Sequence, residues 1–205
     1  MNHTAEMTPK ERFGAFLQGK EMDRLLVSPL ILNYASRSLD LKVREFCTSG
    51  KNMGEANIAC FKKYRHDVVY IFSTTSTLAE AMGTKMYFPE DDAPQVETPL
   101  IQTKEDLKKL KTINPDKDGR LPVYLEAAKR CVDAIGDEVF IVPVIGAPFT
   151  TAAALRGTDT FIREIYTDPE LVHTLMRATT DSVKVLIDAY VKAGTCPVTV
   201  EPIAT

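Results

Sequence analysis

Polar side chains that could contact a ligand follow the apolar segments of this chain, at the points where those segments end. Ser73 and Thr74 come directly after the apolar run VVYIF, and Thr150 follows the run EVFIVPVI by a short Gly-Ala-Pro-Phe turn. Such runs are typical of buried parallel strands, and the carboxyl ends of parallel barrel strands are where α/β enzymes form their ligand sites. We therefore predict a pocket whose substrate-binding residues are Asn33, Ser73, Thr74, Glu80, Thr150 and Glu201.

The amide and hydroxyl groups of this set can orient a polar ligand, but each position also has a purely structural alternative. Ser73, Thr74 and Thr150 precede predicted helices, where a hydroxyl caps the free backbone N–H groups. Glu80 falls in the first turn of a predicted helix, where the helix dipole favours an acid. One hydroxyl can serve both roles, so both remain open, and the sequence singles out no catalytic residue.

The elements that must position these residues alternate between strands and helices. This alternation predicts an α/β fold of parallel strands with right-handed crossovers and outer helices. Residues 86–101 interrupt the alternation with three prolines and predict an extended excursion with a small hairpin. The strands are predicted at residues 24–32, 67–72, 138–145 and 197–203. The clearest helix is predicted at 168–194, with further helices at 8–19 and 121–135 and a helical stretch that closes at 57–64.

Composition excludes several classes of protein. The net charge of -3 offers no basic surface for nucleic acid, and the apolar runs are too short to cross a membrane. The start of the chain lacks an apolar signal region, so we expect a cytoplasmic protein. The four cysteines have no close partners at metal-ligand spacing, which predicts no metal site.

Several short motifs, in this order, resemble the uroporphyrinogen decarboxylase superfamily. They include the helix opening TLAEAMG at 77–83, the turn GAPFT at 146–150 and the helix start TDPE at 167–170. The decarboxylases of that superfamily carry a catalytic Asp directly after a Phe-Ser pair, whereas here Thr74 follows Phe72-Ser73. The Ala-Glu-Ala-x-Gly pattern is similar to the branch of methyltransferases that take a methyl group from a corrinoid protein.

This resemblance implies that residues 1–205 are the N-terminal portion of a single (β/α)8 TIM-type barrel domain, with about four parallel strands and outer helices. Four strands cannot close a barrel at ordinary strand tilt. We therefore expect possible self-association through the open side of the barrel, and we expect the chain to be inactive by itself.

The function implied by the resemblance is methyl transfer from a methylated corrinoid protein to a small-molecule acceptor, either a thiol or tetrahydrofolate. Methylcobalamin would be presented by the partner corrinoid protein, so no cofactor is expected on this chain. Glu201 could then hold the edge of a pterin or orient another group. The zinc ligands of the coenzyme M branch, a His-x-Cys pair and a later Cys, have no counterpart in these residues, so zinc would require a further C-terminal half.

Two alternatives to this function remain. The first is a non-catalytic ligand-binding relative or truncated remnant. The second is a decarboxylase-like lyase, which in that family uses arginines after the first strand to bind substrate carboxylates. Arg37 lies near that place, although the motif around it is not preserved and a surface role is the alternative.

Overall fold

The fold is built on a short parallel sheet, seen in a computed structural model that describes residues 7–195 and 197–202. The strands are β1 (Val68–Ile71), β2 (Lys85–Tyr87), β3 (Gln95–Thr98), β4 (Phe140–Gly146) and β5 (Thr199–Glu201). β4 lies between β1 and β5 and pairs with both in parallel, whereas β2 and β3 form the antiparallel hairpin predicted from the sequence. The predicted α/β fold with parallel strands is thus confirmed.

Helices connect the strands and cover one face of the sheet. Two short 3-10 helices accompany them, Leu32–Leu39 and Lys104–Lys109. The α-helices are α1 (Pro9–Leu17), α2 (Val43–Thr48), α3 (Gly50–Tyr64), α4 (Thr77–Met82), α5 (Leu121–Ile135), α6 (Pro148–Arg156), α7 (Thr158–Thr167) and α8 (Pro169–Lys192). Among the helices of the described residues, none is both long and apolar enough to cross a bilayer.

The helix ends follow from local sequence. Thr8 and Glu11 form a capping box in which each side chain accepts a hydrogen bond from the other residue's backbone N–H, and α1 begins there. The Asp168 side chain caps α8 by accepting from the Leu171 N–H, with Pro169 in the first turn. The apolar stripe of α8 supplies Leu175, Leu186 and other buried side chains to the core between helices and sheet.

The strand predicted at residues 24–32 is wrong. This segment runs beside β1, but among the described residues they share one hydrogen bond between backbone groups, from the Asp67 N–H to the Val27 carbonyl at 2.8 Å. The Val27 N–H donates to the Asp67 carboxylate at 2.7 Å, so it is not available for a hydrogen bond to a neighbouring strand. Pro29 has no N–H and cannot donate such a bond either. Leu25 and Leu30 are 82% and 62% exposed, so burial does not fix the segment as a strand.

The other strands lie close to their predicted places. β1 and β4 match within two residues, and β5 covers 199–201 of the predicted 197–203, of which 203 lies outside the described residues. Because all three strands run in the same direction, their carboxyl ends meet at one edge of the sheet, and Ser73, Gly146 and Glu201 are brought to that edge.

Candidate functional site

The face of the sheet turned away from the helices holds a small cavity. Alternate residues of β1 and β4, such as Val69 and Ile141, point into the helix-covered core. The intervening residues point the other way and, with two leucines of the preceding segment, line an open cavity of about 190 Å³. Its lining consists of Leu30, Leu32, Tyr70, Phe72, Val144, Thr199 and Glu201.

This cavity is apolar and aromatic with a single charged group. The Tyr70 hydroxyl is hydrogen-bonded to the Ser28 hydroxyl at 2.9 Å, which ties the segment before the first 3-10 helix to β1. Glu201 is half-buried, and within the part of the chain that the structure describes its carboxylate makes no hydrogen bond or ion pair. Among the described residues, the cavity therefore combines an apolar slot with one carboxylate at its end.

A buried arginine organises the loop beside this cavity. The Nε of Arg120 donates to both carboxylate oxygens of Glu80, at 3.1 and 2.9 Å, and its Nη2 lies 2.8 Å from the second of them. Nη1 donates to the Cys47 carbonyl at 3.0 Å and to the Ser73 hydroxyl at 3.3 Å. Arg120 is only 7% exposed. It thus joins α2, the loop after β1 and α4 through one side chain.

Aromatic rings and burial set the charge state of this cluster. The Arg120 guanidinium lies 4.6 Å from the ring centre of Phe88 and 5.5 Å from that of Tyr124, whose hydroxyl is hydrogen-bonded to Ser73. Burial works to lower the pKa of Arg120, but the neighbouring Tyr124 and Glu80 outweigh it and raise that pKa, so the guanidinium stays charged. Burial raises the pKa of the Cys47 thiol, which keeps it protonated and unsuited to act as a nucleophile.

Asn33 completes the cluster from the other side of the loop. Its Nδ2 donates to the Ser73 carbonyl at 3.1 Å, and its Oδ1 lies 3.6 Å from the Cys47 sulfur. Three of the predicted site residues, Asn33, Ser73 and Glu80, are therefore brought together. Their polar atoms hold one another and the loop after β1.

The remaining predicted residues occupy different places. The Thr74 hydroxyl accepts from the Ser76 N–H at 3.3 Å, and its carbonyl accepts from the Thr77 hydroxyl at 2.9 Å, contacts that shape the turn into α4. The Thr150 hydroxyl donates to the Glu201 carbonyl at 3.2 Å, which ties α6 to the end of β5. Glu201 alone of the six directs a side chain into the cavity.

Sequence reasoning missed Arg120, Tyr124, Tyr70 and Phe72. Nothing in the local sequence distinguishes Arg120 from a surface arginine, because its partners lie 40 and 47 residues away. The place of Tyr70 could have been inferred from the sequence. It lies two residues before Phe72 in a predicted strand, and residues two apart along a strand point to the same face of the sheet.

A larger groove, of about 630 Å³, lies between α5 and α8 on the outside of the sheet. Its lining mixes acids and lysines, including Glu126, Lys129, Asp188 and Lys192. It is remote from the strand ends and contains no part of the Arg120 cluster, so we do not place the functional site there.

Metal chemistry has no support from the residues of 7–195 and 197–202. No group of three His, Cys, Asp or Glu side chains among them is arranged to hold an ion. Cys196 lies outside the described residues.

The close approach of two strand ends makes Gly146 sensitive to substitution. A Cβ at this position would lie 2.3 Å from the Thr75 carbonyl oxygen. We expect Gly146→Ala to lower the free energy of unfolding by about 1–3 kcal/mol through overpacking. Gly14, within α1, has no neighbour that a Cβ would meet, so Gly14→Ala should instead raise stability by about 0.5–1 kcal/mol. Urea unfolding of both variants tests this, and equal effects of the two would contradict it.

The parallel sheet, its outer helices and a cavity at the carboxyl ends of the strands define the chain as part of a barrel-type α/β protein. The family model described as uroporphyrinogen decarboxylase (URO-D) matches residues 8–201, nearly the whole chain. The chain therefore belongs to the uroporphyrinogen decarboxylase family.

Individual relatives place the chain within that family. It is 29% identical over 154 residues to a uroporphyrinogen decarboxylase of Cellvibrio japonicus, covering 72% of this chain and 42% of that protein. It is 28% identical over 156 residues to the same enzyme of Aromatoleum aromaticum, covering 73% and 43%. The chain thus spans less than half the length of these relatives.

A solved structure is similar over most of the chain. It is a methyltransferase from Methanosarcina mazei, with a TM-score of 0.83 and 23% sequence identity, and the match covers 95% of this chain and 59% of that one. At this identity the likeness shows a shared fold and says nothing by itself about the reaction.

Proposed function

We propose that the protein containing these residues transfers a methyl group from a methylated corrinoid protein to a small-molecule acceptor, a thiol or tetrahydrofolate. The observation that carries this proposal is Thr74. It stands directly after Phe72-Ser73, where the decarboxylases carry an Asp, and its hydroxyl is used in the turn into α4. A threonine cannot supply the negative charge that the Asp brings to decarboxylation.

The charges near the strand ends support the same proposal. Uroporphyrinogen carries several carboxylates, and binding them requires unpaired cations. Arg37 lies 3.6 Å from the Asp91 carboxylate, which also pairs with Lys42 at 2.7 Å. Glu201 places a negative charge in the cavity itself. A substrate rich in carboxylates would meet like charge there, which disfavours binding.

The chain's own residues act by positioning the acceptor. When bound, the methylated corrinoid supplies a methyl carbon open to displacement: the acceptor's lone pair forms the new bond, the Co–C electron pair stays on cobalt, and the acceptor's proton passes to water. Tyr70 and Phe72 hold the body of the acceptor, Glu201 holds its polar end, and the Arg120 cluster keeps the adjoining loop fixed. Such fixed placement lowers the barrier because the reacting atoms are already held in line.

The cavity volume supports the proposal that a partner protein carries the corrinoid. At about 190 Å³ the cavity is smaller than the roughly 300–1,000 Å³ of sites for drug-sized ligands. It has room for one ring system. We propose that the methyl donor approaches the strand ends on a separate protein.

The experiment that tests this proposal uses the protein expressed from its complete gene. It is mixed with methylcobalamin and either tetrahydrofolate or 2-mercaptoethanesulfonate, and the absorption spectrum is followed. We expect acceptor-dependent conversion of methylcobalamin to cob(I)alamin. A protein that binds an acceptor without any conversion would instead be the non-catalytic relative. We expect residues 1–205 alone to give no conversion.

Decarboxylation is the second candidate, because the similar enzymes of C. japonicus and A. aromaticum are named for it. We expect no turnover of uroporphyrinogen, since Thr74 lacks the required charge. We also expect Thr74→Asp alone to remain inactive, because Glu201 and the paired Arg37 are unchanged. Chromatography of the porphyrins after oxidation measures both. Products with fewer carboxylates from the unaltered protein would favour the lyase.

A further inference from the structure

We propose that residues 88–92, in the loop that joins β2 to β3, form a strap that opens and closes over Arg120, and that exposed ion pairs to the first 3-10 helix and α2 hold this strap closed. The ladder of β2 and β3 ends where Tyr87 pairs with Gln95, so the motion is confined to the loop in front of that pair. The strap controls access to the ends of the strands, whichever reaction takes place there.

The ion pairs of the strap have all their acids on one side and all their cations on the other. The Asp91 carboxylate lies 2.7 Å from the Lys42 ammonium and 3.6 Å from the Arg37 guanidinium, and Glu90 lies 4.0 Å from Lys42. The hydrogen bond from Lys42 lowers the pKa of Asp91, so this carboxylate is charged at neutral pH. These four side chains are 40–67% exposed, and ion pairs so exposed to water contribute little stability and are screened by salt. The strap is therefore held closed weakly.

Two hydrogen bonds from Arg44 fix the backbone of the closed strap. The Arg44 N–H donates to the Glu90 carbonyl at 3.1 Å, and the Arg44 Nε donates to the Phe88 carbonyl at 2.9 Å. Arg44 lies in the first turn of α2, where an N–H has no acceptor within its own helix. The strap supplies that acceptor when it is closed, and water replaces it when the strap opens. The Arg44 amide therefore reports the state of the strap.

The strap covers Arg120 with an aromatic ring. The half-buried Phe88 ring lies with its centre 4.6 Å from the Arg120 guanidinium, which is 7% exposed although it is charged. Opening exchanges this cation–π contact, which is modest in strength, for water around a charged group. Because Arg120 also donates to the Ser73 hydroxyl, an open strap exposes the loop after β1 together with the arginine.

Hydrogen exchange of the complete protein, resolved by mass spectrometry to the Arg44 amide, tests the role of the ion pairs. Asp91→Asn keeps the size of the side chain and removes its charge, and we expect the Arg44 amide to exchange about two- to fivefold faster, as loss of an exposed ion pair implies. Glu97→Gln is the matched control. It removes an exposed acid of the same hairpin that pairs with Lys85 at 3.0 Å, and it should leave the exchange of Arg44 unchanged. Amides of β4 should exchange equally in all three proteins, which separates local opening from lower overall stability.

Salt and a guanidinium reagent give two further readouts. Raising sodium chloride from roughly 0.05 to 0.5 M should speed exchange of the Arg44 amide in the unaltered protein, and it should have a smaller effect in Asp91→Asn. Phenylglyoxal, which modifies accessible guanidinium groups, should label Arg120 faster in Asp91→Asn than in the unaltered protein. The exposed Arg130 should be labelled at the same rate in both proteins.

Either of two results would overturn the inference. The first is exchange at Arg44 that responds neither to Asp91→Asn nor to salt, which would show that the ion pairs do not hold the strap. The second is equal labelling of Arg120 in both proteins, which would show that the strap does not open over it. Neither measurement depends on methyl transfer, so the strap and the proposed function can fail separately.

Discussion

Replacing Arg120 by Met is expected to lower the free energy of unfolding by about 3–5 kcal/mol, the usual result of removing one partner of a buried ion pair. Arg120 and Glu80 have side chains only 8% and 12% exposed, so the Glu80 carboxylate would stay in the interior without its partner. The Cys47 carbonyl and the Ser73 hydroxyl would also lose a donor. Urea or guanidinium unfolding followed by circular dichroism measures the change.

Two further variants separate this explanation from a general effect of losing an arginine. Arg130→Met removes an exposed arginine that pairs with Glu126 across one helical turn, and it should cost no more than about 0.5 kcal/mol. The double variant Arg120→Met with Glu80→Leu removes both charges, and it should recover much of the stability lost in the single variant. A double variant as unstable as Arg120→Met would show that packing rather than charge pairing explains the loss.

Arg12→Met is expected to cost about 3 kcal/mol by the same mechanism. The buried Arg12 donates to the Asp23 carboxylate at 2.6 and 2.8 Å and to Asp67 at 2.5 Å. Asp67 would keep its two bonds from Arg24, at 2.6 and 2.9 Å, which limits the loss. The exposed Lys129, paired with Asp133, provides the control Lys129→Met, which should change stability by less than about 0.5 kcal/mol.

The pH dependence of the Arg12→Met effect follows from Asp23 and Asp67. The hydrogen bond from Arg12 is the main cause that holds the pKa of the Asp23 carboxyl well below its usual range. Burial tends to raise the pKa of the Asp67 carboxyl, but hydrogen bonds from Arg24, the Val27 N–H and Arg12 outweigh burial and lower it. A carboxyl with a lowered folded-state pKa stabilises the fold above its unfolded pKa of about 4, and that stability is lost as the pH falls further. The difference between Arg12→Met and the unaltered protein should thus be full at neutral pH and shrink below about pH 4. A difference that grows with acid would contradict this assignment.

The sequence predicts best where several residues in a row give the same signal. β1 and β4 are continuous apolar runs because helices cover one face and the cavity side buries much of the other, including Val142 and Val144. The run at 24–32 has the same composition, yet the Asp67 side chain captures its backbone at Val27. The local sequence of this run does not predict that the side chain of a residue far along the chain will accept a hydrogen bond that a strand would have made.

The candidate site, like the fold, is only partly predictable from the sequence. Strand ends are predictable because parallel strands must deliver their carboxyl ends to one edge, and this brought Ser73, Thr150 and Glu201 to a common region. Which of these side chains faces the cavity depends on register and on long-range partners. The Ser73 hydroxyl is hydrogen-bonded to Arg120 and Tyr124, whereas the Glu201 carboxylate has no hydrogen-bond partner among residues 7–195 and 197–202. Whether the six predicted residues bind substrate stays a prediction.

Methyl transfer is tested most directly by the fate of a labelled methyl group. The protein from its complete gene is incubated with trideuteromethyl-cobalamin, tetrahydrofolate, 2-mercaptoethanesulfonate and uroporphyrinogen together, and the products are analysed by mass spectrometry. We predict that the trideuteromethyl group appears on one of the two acceptors and that the uroporphyrinogen keeps all its carboxylates. Two unlabelled acceptors together with porphyrinogen that has lost carbon dioxide would contradict the proposed function.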